Sequence, residues 1–172
     1  MIQEEIILTK HECNWILNSC GEFIRSGITH DGISIEESDW RTCYEYTFTN
    51  NISLQNLILS KLQKYGVNSV PNSMSVVRYE SGQYFKNHID SGIGHEDRIK
   101  TISIQLSDIS DYNGGDLLIW ESDEDGNSCA HCVSREIGNM VLFDSKLNHE
   151  AISIESGTRY ILVFWLTDEN LQ

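Results

Sequence analysis

Basic residues are scarce in this chain, with 12 Lys and Arg against 26 Asp and Glu and a formal charge of −14. A phosphate-binding surface needs clustered Lys and Arg, so the balance argues against a nucleic-acid partner. Long apolar runs are also missing, and no stretch is long enough to cross a bilayer. No membrane partner is expected. The opening residues MIQEEIILTKHEC carry acids where a secretory leader would have a basic segment and a long apolar one. A cytoplasmic location is the expectation.

Proline occurs once, at Pro71, and no low-complexity linker or internal repeat is visible, so 172 residues read as one domain. Five cysteines (13, 20, 43, 129 and 132) are odd in number and lack the spacing of a disulfide scaffold, which suits a reducing compartment. Cys129 and Cys132 form a single CxxC with no second pair to complete a zinc site, and they lie among strand-like segments. They read as ordinary thiols. The sequence is silent on oligomeric state.

What is present divides into a helical front and a strand-rich remainder. Thr9-Lys10-His11-Glu12 is a capping box followed by Trp15, Ile16 and Cys20 at helical spacing, which predicts a helix over 9–25. A second helix is expected from about Asn51 to Tyr65, on the apolar face of Ile52, Leu54, Leu57, Ile58 and Leu62, with Gly66 as its stop. Between them, 42–49 reads as a strand. From residue 73 onward short strands are predicted at 74–80, 83–89, 101–107, 116–121, 129–135, 139–144, 149–154 and 158–166, separated by glycine and asparagine turns. Eight such strands behind two helices predict a mostly β fold with N-terminal helices, a jelly roll, with 1–72 as helical support and 73–167 as its core.

Chemistry concentrates in four residues. His88 and Asp90 stand two apart, a spacing that puts them on one face of a strand. On its own HxD is a weak signal that surface strands contain by chance. His149 strengthens it by opening a strand-like segment behind the apolar run Val141-Leu142-Phe143. Two histidines and a carboxylate can hold a divalent iron on one face and leave other positions open. Arg159 then opens the otherwise apolar stretch YILVFWL, where a charge is costly unless paired. It can be matched by an ordinary ion pair or by a buried acid meeting two parallel hydrogen bonds. Read along one ladder, the distance from His149 to Arg159 suits a five-carbon diacid. His11, His30, His95 and His131 lack a carboxylate in this arrangement and are not taken as ligands.

Longer motifs join these residues. Arg78-Tyr79-x-x-Gly82-x-x-Phe85-x-x-His88-x-Asp90 is followed by Gln105-Leu106-Ser107-Asp108 and by Asp111 through Leu117 (DYNGGDL). Then come Gly138-x-x-Val141-x-Phe143, His149, Gly157-Thr158-Arg159-Tyr160 and Trp165. In this order they resemble the prolyl 4-hydroxylase-like branch of the iron(II)/2-oxoglutarate oxygenases, over roughly 73–167 and more loosely the first helix.

The resemblance implies a double-stranded β-helix with iron held by His88, Asp90 and His149. It implies 2-oxoglutarate chelating that iron while Arg159 binds its distal carboxylate, with O2 as oxidant and ascorbate as a reductant. Tyr79 falls where the family places a tyrosine lining the cosubstrate pocket. Gln105 falls where several members use a tyrosine against the same carboxylate. Leu117 and Trp165 match apolar pocket positions and serve equally well as plain core residues. Asp90 fills the position that related halogenases leave empty for chloride. The implied activity is hydroxylation of an unactivated carbon, of a prolyl or other residue in a peptide or protein. Hydroxylation of a free amino acid or small metabolite is the alternative, and a non-catalytic jelly-roll binding module is a third reading. The segments 28–41 and 91–100 are candidate lids over the site.

Overall fold

The structure is a computed structural model that describes residues 2–30, 33–35, 39–122 and 128–171. Its front half runs β1 (Gln3–Ile6), α1 (Lys10–Asn18), β2 (Ile24–Arg25), β3 (Ile28–His30), β4 (Ile33–Ile35), β5 (Tyr44–Thr49) and α2 (Ile52–Leu62). The remainder runs β6 (Ser73–Glu80), β7 (Phe85–His88), β8 (Lys100–Gln105), β9 (Tyr112–Gly114) and β10 (Leu117–Ser122). It ends with β11 (Ser128–Cys132), β12 (Asn139–Asp144), β13 (His149–Ala151) and β14 (Ile154–Leu166). Both helices are capped as their sequences require: Thr9 and Glu12 close a capping box on α1, and the Asn51 side chain accepts from Leu54 N–H on α2.

Antiparallel pairing builds a major sheet in the order β1-β12-β8-β14-β6-β5-β2, with β9 also on β14, and a minor sheet in the order β11-β10-β13-β7. The fold is mostly β with few helices, as the strand count and turn spacing indicated. Strand periodicity decides what each face of the major sheet does. Met74, Val76, Ile102, Ile104, Leu162, Phe164 and Leu166 point to one side and pack with Cys13 and Ile16 of α1 and Leu54, Ile58 and Leu62 of α2. Val77, Tyr79, Thr101, Ser103, Arg159, Ile161, Val163 and Trp165 alternate with them and line a pocket between the two sheets. The sheet is covered on both faces, which is why β14 reads as a nearly continuous apolar run.

Several boundaries differ from the sequence-based expectation. α1 ends at Asn18 instead of residue 25, because Ile24 and Arg25 leave to pair with Glu45 and Tyr44 at the sheet edge. The 1–72 region is correspondingly mixed, and its β5 is an inner strand of the major sheet between β6 and β2. The expected strand 83–89 starts at Phe85 and ends at His88. The expected strand 149–154 stops at Ala151, and Ile154 already belongs to the next strand, because the chain passes from pairing with β10 to pairing with β9. The Gly126-Asn127 turn and the acids at 123–125 lie outside the described residues.

Leu162 is fully buried in the layer between the major sheet and the helices. Leu162→Ala should lose about 2–5 kcal/mol of unfolding free energy. Urea denaturation checks this, and the slope against denaturant should stay unchanged.

Candidate active site

Pairing of β7 with β13 sets His88 directly opposite His149. Phe85 stacks on the His88 ring with centroids 3.5 Å apart, and Phe143 meets the His149 ring edge-on at 4.9 Å. Each imidazole is also held through one nitrogen: His88 Nδ1 lies 2.7 Å from Lys86 O and His149 Nδ1 lies 2.9 Å from Leu147 O. A carbonyl only accepts, so Nδ1 carries the proton and Nε2 keeps its lone pair in both neutral rings.

Asp90 does not share a strand with His88, as the spacing suggested, because β7 ends at His88. The chain turns out of the sheet there, and Asp90 N–H and Ser91 N–H both donate to Ser145 O at 2.9 and 3.0 Å. That turn aims the Asp90 carboxylate back at the histidines. Its Oδ1 is 3.7 Å from His88 Nε2, its Oδ2 is 3.3 Å from His149 Nε2, and Thr101 Oγ1 donates to Oδ2 at 2.7 Å. Ligand atoms of the three residues lie within 4.8 Å of one another, and no other such group occurs among the described residues.

Burial alone would raise the Asp90 carboxyl, but hydrogen bonds from His149 and Thr101 and both imidazole charges leave it well below the usual carboxylate range. Burial and the neighbouring His149 charge push His88 down to about 4. His149 is depressed by burial too, yet its hydrogen bond to Asp90 wins and its pKa ends above the ordinary value. Two imidazole lone pairs converging on a carboxylate repel unless a cation or proton sits between them. The donor set therefore fits a divalent metal of the kind that accepts two nitrogens and one oxygen.

Across the pocket, Arg159 on β14 pairs with Tyr79 on β6, and Gln105 on β8 stands opposite Ile161, two residues further along β14. Arg159 is only 4% exposed, and no carboxylate of the described residues pairs with it. Its Nε donates to Gln105 Oε1 at 3.1 Å. His149 and Arg159 line one pocket from facing sheets, so the path between them crosses between layers, which usually pack ~10 Å apart. It is not the longer path along one ladder that the sequence suggested. A small diacid anchored on the metal site has the length to reach the guanidinium.

Tyr79, Leu117 and Trp165 all line this pocket, whereas Gln105 lies beside it and reaches Arg159. Burial raises the Tyr79 phenol, which therefore stays protonated. Trp165 carries the Arg98 guanidinium 3.7 Å above its ring. The sequence reading missed Thr101, although the polar alternation Thr101, Ser103, Gln105 inside an apolar strand marked that inward face. It also missed Arg41, whose guanidinium lines the pocket 4.9 Å above Phe85 and bonds Glu45, Cys43 and Gly27. No local pattern announces Arg41. His131 pairs with Glu4, away from the site.

A family model described as the 2OG-Fe(II) oxygenase superfamily matches residues 74–167. A PKHD-type hydroxylase of Acinetobacter baumannii is 35% identical over 96 residues, which cover 52% of this chain. The chain spans only 40% of that relative's length. Among solved structures, a prolyl-4-hydroxylase of Pseudomonas putida superposes with a TM-score of 0.72 at 18% identity, covering 96% of this chain and 92% of the other. A prolyl hydroxylase of Trichoplax adhaerens, in complex with a hypoxia-inducible factor peptide fragment, gives 0.68 at 16% identity, covering 98% and 83%. At these identities the likeness is one of fold, the double-stranded β-helix.

Because His149 holds its proton to higher pH than an ordinary histidine, metal binding must displace that proton. Mn(II) affinity measured by calorimetry should begin to fall while pH is still above ~6.5 and continue falling below it. Proton release should appear as a dependence of the heat on buffer. Thr101→Val, which removes the hydroxyl donor to Asp90, should weaken Mn(II) about 10-fold at constant pH.

Proposed function

Since the chain belongs to the 2OG-Fe(II) oxygenase superfamily, we propose that it is an Fe(II)/2-oxoglutarate-dependent dioxygenase that hydroxylates a prolyl or other residue in a peptide or protein. The observation that carries this reading is the pairing of two sites in one pocket. A His-Asp-His donor set stands on one side of the pocket, and a buried guanidinium with no carboxylate partner among the described residues stands on the other. A hydrolytic metal site would leave Arg159 without a purpose.

His88, Asp90 and His149 would hold the metal through Nε2, a carboxylate oxygen and Nε2. Arg159 would take the distal carboxylate of 2-oxoglutarate, with Tyr79 alongside. When bound, Fe(II) with 2-oxoglutarate and O2 supplies the oxidising chemistry, in which a substrate C–H becomes C–OH while the keto acid becomes succinate and CO2. The chain's own residues orient and shield. Phe85 and Phe143 lock the imidazole planes, Thr101 fixes the carboxylate, and Val77, Ile161 and Val163 exclude water from the keto-acid compartment. Ascorbate would serve as a reductant to keep the iron ferrous.

A peptide substrate is favoured by what surrounds the site. Ile89, between two ligands, is 47% exposed, Ile93 in the following loop is 70% exposed, and Trp40, next to Arg41, is 46% exposed. Apolar side chains offered to solvent beside a pocket suit an extended chain better than a lone metabolite. The prolyl hydroxylase with a bound peptide fragment among the fold neighbours supports that choice. The loop 91–100 lays Arg98 over Trp165 of the pocket wall and would serve as a lid, while 31–32 and 36–38 of the other candidate lid lie outside the described residues. The five free cysteines fit a reducing compartment, and we place the protein in the cytoplasm. No helix among the described residues is long and apolar enough to cross a membrane.

Purified protein with Fe(II), ascorbate and 2-oxoglutarate should release succinate, and a peptide library should gain one oxygen by mass spectrometry. His88→Ala should cut succinate release at least ~100-fold. Absence of both cosubstrate binding and turnover, with metal affinity unchanged in His88→Ala, would sink the proposal. Oxygen gain on free amino acids with none on peptides would move the substrate to the small-molecule class.

A further inference from the structure

Behind Arg159 runs a line of buried polar contacts leading away from the metal. Gln105 Nε2 donates to Ser107 O at 3.2 Å and to Tyr112 Oη at 3.0 Å, and Gln105 Oε1 accepts from Arg159 Nε at 3.1 Å. This fixes the amide orientation, because a carbonyl oxygen can only accept and a guanidinium can only donate. Tyr112 Oη also accepts from Arg135 Nε at 3.3 Å. Arg135 is itself anchored by Nη2 to Tyr112 O at 2.9 Å, with its guanidinium 4.4 Å over the Tyr112 ring. Asp116 closes the outer end 3.8 Å from Arg135 Nη1.

We propose that Tyr112 is a positioning residue for the cosubstrate arginine, acting through Gln105 and braced from outside by Arg135. The proposal rests on the reading that Arg159 binds the distal carboxylate of 2-oxoglutarate. Gln105, Tyr112 and Arg159 are 4%, 3% and 4% exposed, so water has little access to replace a lost contact. With Nε held by Gln105, Arg159 offers the carboxylate the edge formed by its two terminal nitrogens and not its Nε side. Gln105 turns its oxygen to the guanidinium, a role that positions the arginine instead of gripping the carboxylate itself.

The backbone is built to deliver Tyr112 to this place. β9 pairs Tyr112 with Gly157, two residues before Arg159. Gly157 has φ 82°, and a Cβ there would fall 2.1 Å from Asp111 O. A side chain at 157 would push β9 away and draw the phenol off Gln105. The close approach of Gly157 to Asp111 and Tyr112 thus sets a phenol behind the arginine.

The test is calorimetric titration of Mn(II)-loaded protein with 2-oxoglutarate, alongside Mn(II) titration of each variant. Tyr112→Phe should weaken 2-oxoglutarate about tenfold and leave Mn(II) affinity unchanged. Gln105→Glu should weaken it at least about a hundredfold, because the new carboxylate would occupy the guanidinium. In an Arg159→Lys background, which lacks the Nε donor, Tyr112→Phe should have no further effect. Wild-type affinity in Tyr112→Phe overturns the proposal, as does a loss that persists undiminished beside Arg159→Lys or extends equally to Mn(II). If Tyr112→Phe does not fold, Arg135→Gln carries the test: severalfold weakening supports the relay and unchanged affinity overturns it. Wild-type protein that binds Mn(II) without binding 2-oxoglutarate overturns the cosubstrate reading and the relay together, whereas wild-type binding with an inert Tyr112→Phe overturns the relay alone.

Discussion

Asp90 is a carboxylate with only 9% of its side chain exposed, and the site is organised by the groups that make its charge tolerable. Thr101 on β8 donates to it, Ser145 in the turn between β12 and β13 fixes the backbone on both sides of it, and two imidazoles face it. These contacts tie the end of β7 to both sheets. A buried anion of this kind is stable only with positive charge or strong donors against it. The same condition that holds the sheets in register therefore prepares a place for a cation.

The major sheet carries two unlike tasks on its two faces. Even-numbered residues of β6, β8 and β14 make the apolar layer under the helices, and odd-numbered residues make the pocket wall. A slip of one residue in β14 would bury Tyr160 in place of Ile161 and carry Arg159 into the helical layer. Helix packing therefore helps to set the position of the arginine, and α1 itself reaches the strand of Gln105, where Cys13 Sγ lies 3.8 Å from Gln105 O. The rigid scaffold lies on the far side of the site from the loops that would meet a substrate.

Charge is balanced across the proposed site. Iron(II) with one carboxylate keeps a net positive charge, which the keto-acid end of 2-oxoglutarate offsets, and Arg159 meets the other end. Tyr79 remains neutral, as a phenol must in such surroundings. By its resemblance to the family, Gln105 falls where several members use a tyrosine. Here the Tyr112 phenol is joined to the arginine through the Gln105 amide.

Much of this was legible in the residues. The capping box of α1, the strand-and-turn rhythm after Ser73, and the His88, Asp90, His149 and Arg159 constellation all depend on local periodicity or on residue types with few chemical substitutes. The shortening of α1 was not legible, because the pairing of Ile24 with Glu45 is made by residues distant in the chain. Nor was the turn at Asp90, which is held by Ser145, or the presence of Arg41 beside Phe85. By itself the sequence named the groups proposed to hold a metal and a diacid, since few residue types can do either. Only the tertiary structure decided their arrangement: which sheet each stands on, that the metal donors and Arg159 line one pocket between the layers, and that Tyr112 reaches the arginine through Gln105. Those facts follow from long-range strand pairing and burial, which one-dimensional spacing does not encode.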